Sequence, residues 1–360
     1  MKMKLVMLLV AVMPFMPIAK TDACTGITLK AKDGTTVVAR TIEWGGSELN
    51  SQYVVVPRGY VQYSYLPGGR TDGMKITARY GYVGLAVEQK EFVAEGINEA
   101  GLSAGLFYFP QYGEYEAFDE AQKTTSLSDL QLVSWILGNF QTIDEVKQAL
   151  PEIHVVAIDP RASTVHWRIA DSSGRQVVLE IVGGKLCFYE NKLGVLTNSP
   201  GFEWQMTNLN NYVNLYSGGA EAKSLGDVML KPFGAGSGFL GIPGDVTPPS
   251  RFVRAAFYQT SAPQQENGKD AVLQSFQILN NFDIPVGIEF KSGEVLPADI
   301  PSATQWTSST DIQNRVIYYR TMYNSAIRCI DLKTIDFSKV NYQAVPLDKE
   351  KQQPVETIVI

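Results

Sequence analysis

The sequence predicts an α+β protein in which helices pack on stacked antiparallel sheets. Groups of short strands, rich in β-branched residues and separated by glycine and proline turns, alternate along the chain with pairs of helical segments. The composition is 45% hydrophobic and 11% aromatic, enough for a large buried core. No proline- or serine-rich linker and no charge block divides the chain, so we expect residues 24–360 to form one domain.

The first strand pair is a predicted hairpin. Residues 25–29 and 36–40 are β-branched runs around a Lys-Asp-Gly turn. Cys24 therefore begins one strand and Arg40 ends its partner, which places both at the same end of the hairpin. A guanidinium beside a thiol favours the thiolate, and Glu43 just beyond is placed to hold an ammonium group. The alternative is a surface ion pair between Arg40 and Glu43 at a strand end.

A G-x-S-x-G motif at residues 101–105 matches the pattern of serine hydrolases. That motif needs a strand before the serine and a helix after it. Residues 106–110 instead have the composition of a strand that ends in proline. We therefore expect Ser103 to be a strand residue and not a nucleophile. Further strands are predicted at 53–57, 61–65 and 82–87.

Two helices are predicted in the middle of the chain. Residues 126–140 carry apolar side chains at helical spacing. A capping pattern of Thr142 and Glu145 opens a second helix, which Pro151 ends. Both helices should face the core. Strands then return at 164–189 and 193–197, and further helices are expected at 250–260 and 271–279, before closing strands near 304–308 and 316–319.

Two polar residues in the second half of the chain are candidates for an active site. Asn198 leaves a predicted strand shortly before Pro200, where its side-chain N–H groups could face a developing oxyanion. The alternative is an asparagine turn. Arg251 lies in the first turn of the helix at 250–260, where a cation is unfavourable against the helix dipole, so its presence suggests a function. The glycine run at 234–241 matches a dinucleotide motif only weakly and predicts a wall or lid.

The amino-terminal segment predicts export. A basic start, an apolar stretch at 5–19, and small residues Thr21 and Ala23 ahead of Cys24 form a secretory signal layout. We expect residues 1–23 to be a signal peptide, removed by cleavage between Ala23 and Cys24. Cys24 would then carry its thiol and a free α-amine on one carbon, so that nucleophile and base arrive together and no histidine is needed.

Two alternatives for this segment remain. A membrane anchor would need about 20 apolar residues, whereas 5–19 is shorter and contains two prolines, so no stable anchor is expected. A lipoprotein would carry a lipid on Cys24 and an acylated amine, which would remove the base. Thr21 and Asp22 do not fit the usual lipoprotein pattern, in which leucine stands three places before the cysteine.

The net charge and the few histidines and cysteines argue against several classes of function. The net charge of −6 argues against a nucleic-acid partner. The two histidines, His154 and His166, and the three cysteines show no metal-ligand spacing, so no metal site is expected. His166 is predicted to be a hydrogen-bonded histidine within a sheet. Cys187 and Cys329 lie in alternating apolar runs, which favours buried free thiols over a bridge.

Six segments together resemble the choloylglycine hydrolases, which include bile salt hydrolases and penicillin V acylases. The resemblance covers nearly all of residues 24–360 in order. It implies the N-terminal nucleophile hydrolase fold, a four-layer αββα sandwich of two stacked antiparallel sheets. The segments are CTG at 24–26, RTIEW at 40–44, NEAGL at 98–102, LTNSP at 196–200, GIPGD at 241–245 and SRF at 250–252.

The resemblance also implies roles for individual residues. The nucleophile falls on Cys24, the arginine beside it on Arg40, and two further active-site positions on Asn198 and Arg251. Glu43 stands where many members have aspartate. These five residues are the predicted catalytic set.

A substrate-binding position of the family, asparagine in many bile salt hydrolases and tyrosine in penicillin V acylases, is placed at Tyr108. Phe107 and Phe109 are candidates for an apolar substrate wall, or for core residues.

The implied activity is hydrolysis of the amide bond in glycine- or taurine-conjugated bile salts through a thioester, with no cofactor. Penicillin V deacylation is the alternative within the family, and a lipidated binding module is the alternative outside the enzymes. Homologues from Gram-negative gut bacteria imply a periplasmic protein, and relatives imply a homotetramer.

Overall fold

The computed structural model describes residues 22–159 and 164–359, with Asp22 described by its backbone alone. All of the predicted signal peptide except its last two residues lies outside the described residues. The strands are β1 (Asp22–Lys30), β2 (Thr36–Trp44), β3 (Gln52–Val56), β4 (Val61–Tyr63), β5 (Lys75–Thr77), β6 (Tyr82–Ala86), β7 (Val93–Asn98), β8 (Ser103–Tyr108), β9 (Ser126–Ser128), β10 (His154–Val156), β11 (Val165–Ala170), β12 (Gln176–Val182), β13 (Lys185–Glu190), β14 (Lys223–Leu225), β15 (Val228–Leu230), β16 (Thr304–Asp311), β17 (Val316–Thr321), β18 (Asn324–Asp331) and β19 (Gln343–Pro346). The α-helices are α1 (Leu132–Asn139), α2 (Ile143–Ala149), α3 (Phe202–Asn208), α4 (Pro248–Ser261) and α5 (Gly268–Leu279).

Two antiparallel sheets form the centre of the molecule. The smaller has five strands in the order β1-β2-β16-β17-β18, and the larger has eight in the order β13-β12-β11-β8-β7-β6-β3-β19. Strands β1 and β8 contact each other, so the sheets stack face to face. Helices α4 and α5 pack on the outer face of the small sheet, and α1 packs on the large one. The predicted four-layer αββα sandwich is confirmed.

The central strands are buried on both faces. Strands β6 and β7 are buried at every position, and β2 and β8 at every position except the last. Each sheet has helices on one side and the other sheet on the other, so its central strands meet no solvent on either face. Polar and charged side chains in these strands therefore lie within the protein and need partners there.

The first hairpin is longer than predicted. Strand β1 begins at Asp22 and β2 continues to Trp44. In the register, Cys24 pairs with Ile42 and Arg40 pairs with Gly26, so neither residue terminates its strand. Cys24 and Arg40 are diagonal neighbours within the hairpin, which still brings their side chains together.

The first helix begins later than its apolar spacing predicts. Residues 126–128 form the short strand β9, which pairs in parallel with β10. The Ser128 hydroxyl then accepts the Leu130 N–H at 3.2 Å and starts a turn that leads into α1. The next helix, α2, has the predicted cap, because the Thr142 hydroxyl accepts the Glu145 N–H. The predicted strand at 193–197 is wrong: it is reduced to one bridge, between Leu196 and Gly26.

Neither glycine motif has the conformation that its catalytic or nucleotide-binding counterpart requires. Ser103 is buried and begins β8, and a strand follows it, so the structure excludes a nucleophile elbow as expected. The glycine run at 234–241 contains only a single 3₁₀ turn, Ser237–Phe239, in place of a phosphate-binding helix start.

Among the described residues, no helix is both long and apolar enough to cross a bilayer.

Candidate active site

Cys24 lies in β1, at the edge of the small sheet, and is 4% exposed. Arg40 donates from Nη2 to the Cys24 Sγ at 2.7 Å. Burial raises the pKa of the Cys24 thiol, the Arg40 charge opposes that rise, and the Glu43 charge adds to it. The Tyr108 N–H and the Arg251 charge also lower the pKa of this thiol. The site therefore combines a buried sulfur with donors that favour its ionised form.

Arg40 is held on the opposite side by the large sheet. Its Nη1 donates to the carbonyl oxygens of Ala94, at 3.3 Å, and Leu106. Its guanidinium carbon lies 4.1 Å from the centre of the Phe107 ring. The side chain is fully buried, so these contacts fix the donor that faces Cys24.

Asn198 and Arg251 hold the main chain of Cys24. The Cys24 main-chain nitrogen donates to Asn198 Oδ1 at 2.8 Å. Arg251 donates from Nη2 to the same oxygen at 2.7 Å, and from Nη1 to the Cys24 carbonyl and to Thr25 Oγ1. Burial lowers the pKa of Arg251, while Glu43 and Cys24 oppose that shift. This pair therefore positions the nitrogen that becomes the α-amine if the chain is cut before Cys24.

The orientation of the Asn198 amide differs from the predicted one. Its Nδ2 donates to the Tyr108 carbonyl at 2.7 Å, and its Oδ1 faces Cys24 and Arg251. Arginine can only donate and a carbonyl can only accept, so the partners force this orientation. The acceptor end of Asn198 therefore serves the Cys24 nitrogen. Only the second Nδ2 hydrogen remains for the predicted role at an oxyanion.

Glu43 is almost completely buried and pairs across the hairpin with Ala23. Its Oε1 accepts from Thr304 Oγ1 at 3.4 Å. Its Oε2 is buried and forms no hydrogen bond of normal geometry with any described residue. Burial raises the pKa of Glu43 to about 8, against the positive charge of Arg251. The surface ion pair considered for Glu43 and Arg40 is therefore excluded, since both side chains are inside the protein.

The three aromatic candidates for substrate binding do not share one environment. Phe107 and Phe109 are 0% and 1% exposed, and Phe109 stacks on the His166 ring at 4.3 Å. Phe107 contacts Arg40 instead of facing solvent. Both have the surroundings of core residues, the second of the two roles considered for them. Tyr108 is half-buried and contributes main-chain groups to the site.

His166 supports the loop that carries Asn198. Its Nε2 lies 3.0 Å from the Thr197 carbonyl, and its Nδ1 lies 3.1 Å from Glu180 Oε1. A carbonyl only accepts, so Nε2 carries a hydrogen. Glu180 also accepts the Phe202 N–H at 2.8 Å, at the start of α3. The prediction of a hydrogen-bonded histidine within a sheet agrees with this environment.

Glu95 and Arg168 also belong to this region, although no sequence motif indicated them. Both are buried, and Arg168 donates from Nη2 to Glu95 Oε1 at 2.8 Å. Each is the one charged residue of an otherwise uncharged strand, VAEGIN in β7 and VHWRIA in β11. A lone charge in a strand that is buried on both faces is a signal for an internal ion pair.

The remaining cysteines are free but not buried. Cys187 is half-buried in β13, and Cys329 is exposed on β18, the edge strand of the other sheet. The prediction of buried thiols is therefore wrong. Strands β13 and β18 are edge strands, so helices and the opposite sheet cover them less completely than they cover the central strands.

Within the described residues, no cluster of three metal-ligating side chains is present.

The fold and the buried cysteine define a class, the amide hydrolases of the N-terminal nucleophile fold. A family model described as linear amide C–N hydrolases, choloylglycine hydrolase family, matches residues 24–345, and the chain belongs to this family. The chain is 33% identical over 319 residues to a bile salt hydrolase/transferase of Clostridium perfringens, which covers 86% of this chain and 92% of the relative.

Two further comparisons extend the likeness. The crystal structure of a conjugated bile acid hydrolase variant from Clostridium perfringens superimposes with a TM-score of 0.79 at 29% identity, covering 93% of this chain and all of the other. A penicillin V acylase of Pectobacterium atrosepticum is 26% identical over 338 residues, 87% of this chain and 81% of the relative.

Proposed function

We propose that the chain hydrolyses the amide bond of glycine- or taurine-conjugated bile salts, with Cys24 as an N-terminal nucleophile. The observation that carries this proposal is the contact of one residue, Cys24, with Arg40 at its sulfur and with Asn198 at its nitrogen. The family match begins at this residue. Bile salt hydrolases among the relatives support the substrate class.

The reaction requires that a free α-amine replace the Cys24 peptide nitrogen. The amine, whose ordinary pKa is about 7.7–8.0, accepts the thiol proton, and Arg40 stabilises the thiolate. The sulfur then attacks the amide carbonyl and forms a C–S bond. The C–N bond breaks as the ammonium returns its proton to the departing amine, which leaves a thioester. Water hydrolyses the thioester, with the α-amine taking its proton, and the thiol is restored.

Glu43 fits a role beside the amine. In the described chain its buried Oε2 lacks a hydrogen bond of normal geometry, and its cross-strand neighbour is Ala23. Loss of Ala23 would leave a carboxylate facing a new ammonium group, and that charge would lower the pKa of Glu43. The added methylene relative to aspartate lengthens the reach of this side chain.

A substrate panel tests the activity. We expect the processed protein to release glycine or taurine from conjugated bile salts at least ten times faster, in kcat/KM, than it releases phenoxyacetate from penicillin V. Both substrates are cleaved at a secondary amide, and a rigid steroid acyl group differs from an aryloxyacetyl group in size and apolar area, so the ratio reports which acyl group the site accepts. A preference for penicillin V would assign the chain to the other activity of the family.

We further propose export to the periplasm after removal of residues 1–23. The basic start, short apolar stretch and small residues before Cys24 support it. Mass spectrometry of the mature amino terminus separates the two outcomes. A free Cys24 supports the enzyme, whereas a diacylglyceryl mass on Cys24 would instead indicate the lipidated binding module.

We also propose a homotetramer, with the β14–β15 hairpin as a contact between subunits. This hairpin pairs with no third strand of the described chain. Its Leu225, Val228 and Met229 are 69%, 61% and 57% exposed, and the nearby Phe233 is fully exposed. Such a patch of exposed apolar side chains is typical of an interaction surface.

Replacing two of these side chains should weaken the assembly. We expect a Val228→Ser/Phe233→Ser variant to shift to smaller species in size-exclusion chromatography with light scattering, because the apolar contact area is lost. Val355→Ser is the matched control, since Val355 is 83% exposed in the carboxy-terminal tail. A wild-type protein that is monomeric at micromolar concentration would contradict the proposed tetramer.

A further inference from the structure

Glu95 and Arg168 meet above a glycine in the large sheet. In the register, Gly105 of β8 pairs with Glu95 on one side and with Arg168 on the other. A Cβ at position 105 would lie 2.2 Å from Glu95 Oε2, so only glycine leaves room for the carboxylate. The last glycine of the G-x-S-x-G motif thus makes space for an internal ion pair.

Arg40 and Arg168 each contact the sheet opposite to their own. Arg40 belongs to the small sheet, and its Nη1 donates to carbonyls of Ala94 in β7 and Leu106 in β8. Arg168 belongs to the large sheet, and its Nη1 donates at 3.2 Å to the carbonyl of Ala39, the residue before Arg40. Arg168 thus contacts the peptide group that joins Ala39 to Arg40, and the Arg40 guanidinium contacts β7 and β8 of the sheet that carries Arg168. Movement of Arg168 would therefore displace the residue that faces Cys24.

Glu95 lies between the two guanidinium groups. Its Oε1 accepts from Arg168 Nη2 at 2.8 Å, and its Oε2 lies 3.9 Å from Arg40 Nη1. All three side chains are at most 2% exposed. The Phe107 ring contacts both arginines, with guanidinium carbons at 4.1 Å and 5.6 Å from its centre.

The charges of this cluster do not cancel. Two guanidinium groups and one carboxylate leave an excess of one positive charge in a region without solvent. An uncompensated buried charge is costly, so an anion beside the cluster would stabilise it. The group that Arg40 Nη2 contacts is the Cys24 sulfur, at 2.7 Å. A thiolate at Cys24 would make the cluster neutral.

We infer that Glu95 and Arg168 are positioning residues that fix the orientation of Arg40 and the net charge around it, and thereby affect the ionisation of Cys24. This inference deepens the proposed function and rests on it for the role of the thiolate in hydrolysis. The other groups that act on the Cys24 sulfur are Glu43, Arg251 and the Tyr108 N–H, together with the α-amine of Cys24 itself in the processed protein. These groups stay unchanged in the variants below.

The two members of the pair should have opposite effects. Glu95→Gln keeps an acceptor for Arg168 and removes a negative charge, so thiolate formation should move to lower pH. Arg168→Met removes a positive charge, so thiolate formation should move to higher pH. We expect shifts of about one pH unit in each direction, the order of magnitude for one partly screened charge near an ionisable group. The double variant keeps the wild-type net charge and should titrate near the wild-type pH.

The measurement is the thiolate absorbance at 240 nm as a function of pH. It uses processed protein that carries Cys187→Ser and Cys329→Ser, so that Cys24 is the one remaining thiol. Glu95→Asp is the conservative control and should titrate close to the parent. A merely structural role would move both single variants in the same direction or leave the titration unchanged, and either result would overturn the inference.

Two further readouts keep the test decisive. If Glu95→Gln does not fold by circular dichroism, Arg168→Met and the double variant still decide it, because only the first should shift the titration. The acidic limb of kcat/KM for conjugate hydrolysis should move with the same sign, with KM changed less than twofold. Shifted titrations in a protein without hydrolase activity would refute the proposed function and leave this inference standing.

Discussion

A Cys24→Ser variant of the processed protein is expected to lose at least about 1,000-fold in kcat for conjugated bile salts, because the reaction depends on an ionised sulfur. The substitution keeps the α-amine, the strand and nearly the same side-chain volume. It replaces a thiol of ordinary pKa near 8.5 by a hydroxyl that Arg40 cannot hold as an anion near neutral pH. The loss should therefore appear in kcat, with KM little changed.

The other cysteines provide matched controls for this loss. Cys329→Ser changes an exposed side chain on the far edge of the same sheet as Cys24, and Cys187→Ser changes a half-buried one in the other sheet. Both should retain full activity. Thermal unfolding of the three variants separates a chemical effect from a folding effect. Undiminished hydrolysis by Cys24→Ser would mean that the nucleophile lies elsewhere.

The fold was predictable because its signals are local. The hairpin around β1 and β2 follows from β-branched runs and a turn, and α2 follows from its capping residues. The start of α1 was not predictable, because residues 126–128 have helical spacing but pair in parallel with β10, a strand more than twenty residues away. Pairing with a distant segment overrides local pattern wherever the two compete.

The candidate site was predictable in its members but not in its geometry. Cys24 and Arg40 are brought together by one hairpin, which a turn signal reveals. Asn198 contacts Cys24 over 174 positions in sequence, and its amide orientation is also fixed by Tyr108, 90 positions away, and Arg251, 53 positions away. Hydrogen-bond direction depends on which donors and acceptors the fold assembles, and no local pattern contains that information.

The internal ion pair of Glu95 and Arg168 is the other part of the site that could not be predicted from the sequence. A glutamate and an arginine in strands β7 and β11 give no indication, one at a time, that they pair across a third strand. The pairing depends on strand order and on a glycine between them. Burial on both faces of these strands follows from the sandwich, so the charges become informative only after the fold is known.

A large loss of activity is also expected when one residue, Ala23, remains ahead of the nucleophile Cys24. A chain that begins at Ala23 should have less than about 1% of the activity of a chain that begins at Cys24, because a peptide nitrogen has no lone pair basic enough to accept the thiol proton. Burial also raises the pKa of the thiol, so few molecules would ionise without an internal base. Ala23 itself is 4% exposed and packs with Ile284 and Ala303, so it fills space next to Cys24.

Two fusions that differ by that one residue test this expectation. A protease-cleavable tag replaces residues 1–22 or 1–23, so that cleavage leaves Ala23 or Cys24 as the first residue, and mass spectrometry verifies each terminus. Both products share every other contact of the site, including Arg40 at the sulfur and Arg251 at the Cys24 carbonyl. Equal hydrolysis by the two proteins would show that the α-amine is not the base, and would require another proton acceptor near Cys24. Activity confined to the shorter chain would assign that role to the Cys24 nitrogen, which Asn198 already holds in place.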